Sequence, residues 1–270
     1  MRLRLLDSGA MPAALNMGLD EAVLSAVSAG RSPPTLRFYQ WEPRAVSVGY
    51  FQGMTEEIDV EACYGAGIDT VRRVTGGGAV FHDAEITYSI VVPEGHPLAP
   101  ADILESYRRI CAGLVEGLRG LGVDAAFAPI NDIVAYDSAR GESRGGNPDG
   151  GKKVSGNAQT RKQGCLLQHG TVLLDVDVET MFSLLKVPKE KLKDKMIEDA
   201  KARVTGLRSL LGRDLGYAEA AKALEAGFSA AWGRAYGIEL EPGSSSPEEL
   251  AEGAAFAREK YSTSAWNFRR

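Results

Sequence analysis

The sequence predicts an α+β fold, in which most strands come first and helices dominate the rest of the chain. Two observations indicate this class. Short runs of β-type residues, together with two long amphipathic helices, fill the chain up to about residue 174. After Asp177 the pattern is mainly helical, interrupted by a turn at 242–246. Strands grouped ahead of helices are typical of α+β proteins, whereas regular alternation would indicate a parallel βαβ repeat.

The individual elements follow from side-chain periodicity, in chain order. An opening strand at 3–6 precedes a helix at about 13–29, whose apolar residues recur every three or four positions. A second long helix at 103–121 has the same spacing. Runs rich in β-branched residues, or alternating in polarity, predict strands at 35–39, 45–49, 70–74, 86–92, 123–127, 132–136, 153–158 and 166–174.

Composition places the chain among ordinary globular proteins. Its 270 residues are 44% hydrophobic and 25% charged, and 31 Lys and Arg against 36 Asp and Glu give a formal net charge of −5. This length predicts one domain over residues 1–270, with enough apolar surface for a core without metal or disulfide cross-links. The acidic balance argues against nucleic acid as a partner, because nucleic-acid-binding domains need a basic surface.

The N-terminus and the cysteines predict a cytoplasmic protein. Asp7 precedes any long apolar run, so the N-terminus lacks the pattern of a signal peptide. No stretch approaches the roughly 20 apolar residues that span a bilayer, so no membrane association is expected. The three cysteines, Cys63, Cys111 and Cys165, are far apart and form no CxxC pair, which argues against disulfides and structural zinc.

Residues 138–151 interrupt the strand pattern with the sequence SARGESRGGNPDGG. A segment so rich in Gly, Ser and Arg cannot bury enough apolar area to fix its conformation. We expect a mobile surface loop at these positions.

Three consecutive glycines after the strand at 70–74 form the first candidate site. Glycine runs cost conformational entropy, so they occur where the backbone needs unusual freedom or close approach to another group. In a binding site their N–H groups would face a phosphate or carboxylate, and two preceding arginines would add forked donors. The alternative is a tight turn between two strands. The candidate residues are Arg72, Arg73, Thr75, Gly76, Gly77, Gly78, Ala79, Val80, Phe81 and His82.

The second candidate site is the segment KKVSGNAQ, in which Lys153 lies in a short β-run among small residues. A fixed ammonium there could stabilise negative charge on a reacting phosphate or carboxylate, or it could be a solvated surface lysine. Asp132, after Asn131, could hold the Mg²⁺ of an ATP complex or cap a turn. His169 could orient a ligand or have a structural role.

These motifs occur together in one family. RRVTGGGAVFHD, then ND, KKVSGNAQ and QHGT, in this order and spacing, resemble the catalytic domain shared by lipoate–protein ligases and octanoyltransferases. The similarity extends to LNMGLDEAV, LRFYQWEP, SVGYFQ and KYSTSAWNF, and so covers essentially the whole chain. It implies an α+β domain with a mixed central β-sheet flanked by helices, similar also to biotin ligases.

The resemblance also implies an activity, ligands and partners. Lipoate–protein ligases of this family use ATP, with Mg²⁺, to convert lipoate to lipoyl-AMP, and then transfer the lipoyl group to a lysine. That lysine lies in a lipoyl domain of a 2-oxoacid dehydrogenase E2 subunit or in the glycine-cleavage H protein. Carried over by motif, Lys153 would be catalytic and contact both reacting groups. The ligand site would comprise Arg73 and Gly76–Phe81, together with Asn131, Asp132 and His169, with Asp132 as the Mg²⁺ ligand.

The family contains both ligases and octanoyltransferases, and the cysteine positions favour a ligase. Octanoyltransferases take the acyl chain from acyl carrier protein through a cysteine thioester. Where the two transferase branches carry this cysteine, the chain reads APIND at 128–132 and LKVP at 185–188. We therefore predict an ATP-dependent lipoate–protein ligase; the alternative is an octanoyl or lipoyl transferase acting from acyl carrier protein or another lipoylated protein. We expect no C-terminal accessory domain like that of single-chain ligases, so either a separate accessory subunit would supply it or the protein would be the transferase.

Overall fold

A computed structural model describes residues 1–137, 141, 150–186 and 193–269, with only the backbone at 193–195. The loop predicted at 138–151 lies almost entirely outside the described residues. The strands are Arg2–Met11 (β1), Thr35–Trp41 (β2), Ala45–Val48 (β3), Asp69–Arg72 (β4), Val80–His82 (β5), Glu85–Pro93 (β6), Asp124–Ala128 (β7), Asp132–Tyr136 (β8), Lys152–Lys162 (β9), Cys165–Leu173 (β10) and Glu239–Pro242 (β11).

The strands form two sheets. The larger sheet has eight strands in the order β11-β1-β2-β6-β10-β9-β8-β7. β1 runs parallel to β11 and β2, and the other neighbours are antiparallel. The smaller sheet has the order β4-β3-β5, with β3 parallel to β4 and antiparallel to β5. The predicted α+β class with a mixed central sheet is confirmed.

Helices cover both faces of the larger sheet. None of them, in the part of the chain that the structure describes, is long and apolar enough to cross a membrane. They are Ala13–Ser28 (α1), Met54–Glu57 (α2), Val60–Gly65 (α3), Ile103–Gly120 (α4), Val178–Leu184 (α5), Lys193–Arg203 (α6), Leu207–Leu211 (α7), Tyr217–Tyr236 (α8), Pro247–Phe256 (α9) and Ser264–Asn267 (α10), with a π-helical turn at Ala257–Tyr261.

Alternation along the strands decides which side chains meet which helices. On β6, Ile86, Tyr88 and Ile90 belong to the hydrophobic core under α4 and α8. Glu85 and Thr87 point to the opposite face, because successive strand residues face opposite sides of a sheet. That opposite face is covered by α1, which packs in turn against α9, and by the smaller sheet. The polar side chains of β6 therefore lie between the two sheets.

Glycines bring the backbones of α4 and α8 close together. A Cβ atom added to Gly227 on α8 would lie 2.1 Å from the backbone nitrogen of Gly117 on α4. The two backbones are therefore in direct contact, and any larger side chain would separate the helices. This contact fixes α4 and α8 against the sheet that carries the site.

Candidate functional site

A cavity of about 270 Å³ opens between the two sheets. Its walls combine apolar side chains with polar groups from both motifs, as is usual for small-molecule sites. Apolar side chains come from α1, β2, β10 and α5: Met17, Tyr39, Trp41, Leu173 and Met181. The smaller sheet and its glycine turn contribute Arg73, Gly77, Gly78, Ala79, Val80, Phe81 and His82, and the larger sheet contributes Asn131, Lys153 and His169.

Arg73 braces the glycine turn from within. Its guanidinium donates to the carbonyl oxygens of Gly76 and Gly78, at 3.0 and 2.9 Å, and to the carbonyl oxygen and hydroxyl of Ser47, at 2.9 and 2.7 Å. Burial lowers the pKa of Arg73 to about 10. These partners are neutral, so they do not cancel the positive charge of Arg73. A negatively charged group in the adjoining cavity would therefore be stabilised by this buried cation.

The turn depends on glycine at two positions. Gly77 has φ +97°, a conformation that side chains strain. A Cβ atom at Gly49, on the loop after β3, would lie 2.1 Å from the carbonyl oxygen of Gly77. The glycine run is thus a tight turn, as one reading of the sequence held, and its residues also line the cavity.

Arg72 does not belong to the cavity, which corrects its prediction as a ligand-binding residue. Its guanidinium is buried and donates to the carbonyl oxygens of Trp266 and Asn267, and to those of Gly49, Tyr50 and Gln52. Adjacent residues at a strand end face opposite sides, so Arg73 points into the site and Arg72 points away from it. Arg72 ties the C-terminal segment to the loop behind the turn.

A hydrogen-bond chain supports His82 in the cavity wall. Ser47 Oγ lies 2.6 Å from His82 Nε2, and His82 Nδ1 lies 2.7 Å from Glu85 Oε1. The Trp41 ring stacks on the His82 ring with centroids 4.0 Å apart. Trp41 Nε1 also donates to Thr87 Oγ1 at 2.7 Å, and Thr87 donates to the same Glu85 oxygen at 2.7 Å. These contacts hold His82 in one orientation at the cavity wall.

A second chain connects the turn to α1. Thr75 Oγ1 lies 2.7 Å from His169 Nε2, and His169 Nδ1 lies 3.3 Å from Asp20 Oδ2. Arg37 donates to Asp20 at 2.8 Å. Burial alone would raise the pKa of Asp20, but the His169 hydrogen bond and the Arg37 charge outweigh it and the pKa is lowered. Burial lowers the pKa of His169. Both ring nitrogens of His169 are engaged, so this residue positions the turn and presents only its ring to the cavity.

Lys153 lies at the opposite wall and pairs with Asp132. Its Nζ is 2.7 Å from Asp132 Oδ1, and both side chains are about one-third exposed, at 39% and 33%. A Cβ atom at Gly156 would lie 2.9 Å from Nζ, so glycine leaves the room that the ammonium occupies. Asn131 donates from its amide to the Asn157 carbonyl oxygen and accepts a bond from Asn157 Nδ2 at 2.8 Å. The Asn131–Asp132 pair therefore fixes β8 against β9 and orients Lys153.

One end of the cavity is acidic. Asp83, Asp175 and Asp177 contribute to its lining there. Burial raises the pKa of Asp83; the positive charge of Arg44 opposes this, and the neighbouring carboxylates add to it. A cationic group approaching this end would be stabilised by the cluster.

The structure brings together most of the predicted site residues. Thr75, Gly76 and Asp132 lie just behind the cavity wall and act through their neighbours. Sequence reasoning missed Asp20, Ser47, Trp41, Glu85 and Asn157, although a charged residue on the apolar stripe of α1 was a signal for Asp20.

Asp132, the predicted Mg²⁺ ligand, is engaged in an ion pair. Its partner is Lys153, and among the described residues no three His, Cys, Asp or Glu side chains form a group that could hold a metal ion.

Comparison with known proteins identifies the family. The model of the family described as lipoyl protein ligase A/B catalytic domain matches residues 12–229. The chain belongs to this family. Octanoyltransferase LipM of Geobacillus kaustophilus is 43% identical, over 99% of this chain and 98% of its own length. Octanoyltransferase LipM of Bacillus subtilis is 39% identical over the same shares.

Solved structures of family members share the fold. A bi-partite lipoate protein ligase from Thermoplasma acidophilum superposes with a TM-score of 0.84 at 31% identity, covering 99% of this chain and 96% of that chain. A lipoate-protein ligase A bound with ATP gives a TM-score of 0.79 at 28% identity, covering 99% of both chains. The predicted family membership is confirmed, and the protein is an enzyme of this family.

The prediction of an ATP-dependent lipoate–protein ligase is wrong. The relatives at 39–43% identity over almost their full length are octanoyltransferases, and they support the transferase alternative. The prediction had depended on the absence of cysteine at 128–132 and 185–188, and the identity to octanoyltransferases over almost the whole chain outweighs that absence. The expectation of ATP and Mg²⁺ as cofactors, and of an accessory ligase subunit, depended on the ligase and has no support from these relatives.

Proposed function

We propose that the protein is an octanoyltransferase, which moves an octanoyl group from a carrier-protein thioester to a lysine of a lipoyl domain. The observation that carries the proposal is the 43% identity to an octanoyltransferase over 98% of that enzyme. The cavity supports it, because an apolar chain and a reactive carbonyl need the two kinds of wall that the cavity has.

The apolar wall suits the hydrocarbon chain. Met17, Tyr39, Trp41 and Leu173 line it, and each is held in a hydrophobic cluster or a strand rather than in a loop. Burying each CH₂ of an acyl chain contributes about 0.8 kcal/mol, so contact with this wall would favour binding of the octanoyl chain.

Lys153 suits the reacting carbonyl. When a nucleophile attacks a thioester, the carbonyl oxygen becomes negative, and a preorganised ammonium stabilises that charge. Asp132 and Gly156 fix where the ammonium lies, so little reorganisation is needed during the reaction. The acidic end of the cavity suits the side chain of the acceptor lysine, which arrives as a cation.

The proposed donor is octanoyl acyl carrier protein. The proposed acceptors are the lipoyl domains of 2-oxoacid dehydrogenase E2 subunits and the glycine-cleavage H protein. We propose the cytoplasm as the compartment of the reaction, where these substrates would meet the enzyme.

Lys153→Ala tests the function, with Lys152→Ala as the matched control. Lys152 is the preceding residue, and its Nζ is directed to the Lys201 carbonyl oxygen at 3.4 Å. We expect octanoyl transfer to an apo-lipoyl domain to fall about 10²–10³-fold in Lys153→Ala, the usual cost of losing one stabilising donor, and to stay near the parental rate in Lys152→Ala.

The same assay includes reactions with and without ATP. Transfer from octanoyl acyl carrier protein without ATP supports the proposal. Failure of the parent enzyme to use this donor, or equal rates for the two lysine variants, would overturn it.

A further inference from the structure

A basic–aromatic patch lies at the protein surface beside the glycine turn. It consists of Tyr50, Phe51, Lys162, Trp266 and Arg269, from three separate parts of the chain. The Arg269 guanidinium lies over the Tyr50 ring, 3.6 Å from its centroid, and over the Trp266 ring at 4.5 Å. Lys162 Nζ lies 5.8 Å from the centroid of the Tyr50 ring, and the Phe51 ring packs edge-on against Tyr50 at 4.9 Å. The fold thus gathers two cations and three aromatic rings at one place.

The two cations of the patch keep their charge. Among the residues that the structure describes, no carboxylate forms an ion pair with Lys162 or Arg269. The neighbouring Lys260, in contrast, is held by both carboxylate oxygens of Glu21 at 2.7 and 2.6 Å. A hydrogen bond to Arg269 and the charge of that residue lower the pKa of the Tyr50 hydroxyl, and the charge of Lys162 adds to this effect. The patch is therefore locally positive in a chain whose net charge is −5.

The composition of the patch is that of a protein-binding surface. The Phe51 side chain is 67% exposed, and Lys162 and Arg269 are also exposed. Single exposed apolar residues are common, but aromatic residues grouped with arginine are enriched at the centres of protein–protein interfaces. Stacking between two rings already orders the Arg269 guanidinium, so less conformational entropy would be lost when it binds. The patch fits an acidic protein surface that also carries an apolar group.

The patch is continuous with the exposed edge of the cavity. The Tyr50 N–H donates to the Thr75 carbonyl oxygen at 2.8 Å, which joins the patch to the glycine turn. Gly77 of that turn is exposed and lines the cavity. A Cβ atom at Gly77 would lie 3.8 Å from the Cβ of Ala158 on β9. Lys162 is four positions further along β9 and so faces the same side of the sheet as Ala158.

The patch and the aspartate cluster lie at opposite ends of the smaller sheet. Arg44 precedes β3 and lies 3.9 Å from Asp83, whereas Tyr50 follows the end of β3. Six positions of nearly extended chain separate Arg44 from Tyr50, which is roughly 20 Å. Asp175 and Asp177 line the cavity with Asp83. The two ends therefore have opposite charge, and they suit two different partners.

Reach decides which partner suits the patch. Ala158, beside the turn, is five positions from Lys153 on β9, and Lys162 is nine positions away. These separations are about 17 Å and about 30 Å along the strand. A lysine side chain extends only about 6 Å from its backbone, so an acceptor protein on the patch could not bring its lysine to Lys153. An acyl carrier protein holds its thioester on a long flexible prosthetic arm, which can enter the cavity while the protein stays outside.

We propose that the basic–aromatic patch is the docking surface for the acyl carrier protein that donates the octanoyl group. This inference rests on the proposed function. An acidic surface of the donor contacts Lys162 and Arg269, and an apolar side chain of the donor packs on Phe51. The prosthetic arm passes the glycine turn and brings the thioester to Lys153. The acceptor protein approaches from the aspartate end, so the two carrier proteins use separate surfaces.

Charge reversal tests the patch, with a matched control of the same net charge. The test variant carries Lys162→Glu and Arg269→Glu, and the control carries Lys222→Glu and Arg234→Glu. The control residues lie on α8, which packs on the face of the larger sheet away from the cavity. At low ionic strength we expect the KM for octanoyl acyl carrier protein to rise about tenfold in the test variant and to change less than about twofold in the control. The difference should shrink as salt is added, because exposed charges are screened.

Two further substrates show whether the effect belongs to docking. The KM for the apo-lipoyl domain, and the rate with octanoyl-pantetheine as a donor without its protein, should be the same in the test variant and the parent. Phe51→Ala should raise the KM for octanoyl acyl carrier protein without changing the melting temperature. Lys162→Glu alone should raise the same KM about threefold, and it decides the question if the double variant does not fold.

The possible results separate this inference from the proposed function. A parental KM for octanoyl acyl carrier protein in the folded charge-reversal variants would overturn the docking surface and leave the proposed function in place. A higher KM for the apo-lipoyl domain instead would assign the patch to the acceptor and also overturn the inference. If the parent transfers no octanoyl group from the carrier protein but does so from ATP and octanoate, both proposals are wrong.

Discussion

Gly49→Ala should damage catalysis by moving the glycine turn, without changing any residue that contacts substrate. Gly49 is buried behind the turn, where its carbonyl oxygen accepts from Arg72 at 3.0 Å and its N–H donates to Gln52 at 2.9 Å. An added Cβ would lie 2.1 Å from the Gly77 carbonyl oxygen and 3.1 Å from the carbonyl carbon of Gly76. Hydrogen bonds hold Gly49 in place, and the atoms that the methyl group would meet belong to the backbone of Gly76 and Gly77. No side-chain rotation can therefore make room for it.

The size of the effect follows from this geometry. Ordinary contact begins at 3.4 Å, so the Gly77 carbonyl must retreat by about 1.3 Å from its 2.1 Å position. That shift pulls on the carbonyls that Arg73 holds on either side of Gly77. A misplacement of about 1 Å commonly costs on the order of 10²-fold in rate. Overpacking of this kind costs about 1–3 kcal/mol of unfolding free energy, which leaves most of the protein folded.

Gly76→Ala is the matched control in the same turn. A Cβ atom at Gly76 meets nothing within 4 Å. The assay is octanoyl transfer to an apo-lipoyl domain, with circular dichroism and thermal melting to measure the folded fraction. We expect kcat/KM to fall about 100-fold in Gly49→Ala and to stay near the parental value in Gly76→Ala. Parental kcat/KM in a folded Gly49→Ala protein, or an equal loss in both variants, would show that this contact does not position the site.

Three further variants test other parts of the structure. Gly77→Val should strongly weaken acyl binding, measured by titration calorimetry, because the valine side chain fills cavity space. It should lower the melting temperature, measured by thermal unfolding, to a lesser degree, through strain in a backbone with φ +97°. Asn267→Ala should lower the free energy of unfolding in urea by about 2–4 kcal/mol, because it removes two buried hydrogen bonds, one from the Arg72 N–H and one to the Tyr261 carbonyl oxygen. Burial lowers the folded-state pKa of His96 from 6.5 to about 4. The unfolded chain therefore binds more protons between these values, so this contribution to stability is complete above pH 6.5 and is lost as the pH falls towards 4. His96→Asn, which keeps an acceptor for the Leu98 N–H, should lose less unfolding free energy over this range than the parent; equal losses would contradict the assignment.

Long helices and buried strands could be predicted from the sequence because their patterns are local. The helix predicted at about 13–29 is observed at Ala13–Ser28, and the one predicted at 103–121 is observed at Ile103–Gly120. The strand predicted at 86–92 is Glu85–Pro93. β11 was missed, because a four-residue strand at 239–242 forms only by pairing with β1, more than 230 positions away.

The motifs of the candidate site could be predicted from the sequence, but the hydrogen bonds between its residues could not. The glycine turn and Lys153 were found because glycine runs and a lysine among small residues are visible locally. The roles of Arg72 and Arg73 could not be separated, since identical neighbouring side chains give no sign of which face each takes. Asp20 and Glu85 enter the site through partners from distant elements, and such pairings have no signature along the chain. The single-domain organisation over residues 1–270 stays a prediction.

Because of the contacts of Arg72, the active site can be completed only after the C-terminal segment has been synthesised. The acceptors of Arg72 on Trp266 and Asn267 lie 194 and 195 positions later in the chain. At a ribosome that adds about 5–20 residues per second, roughly ten seconds or more separate the synthesis of these partners. A nascent chain therefore holds its glycine loop without the C-terminal anchor throughout that interval. Cleavage by a protease just before residue 264 would likewise remove the C-terminal anchor from the folded enzyme, although every residue that lines the cavity would still be present.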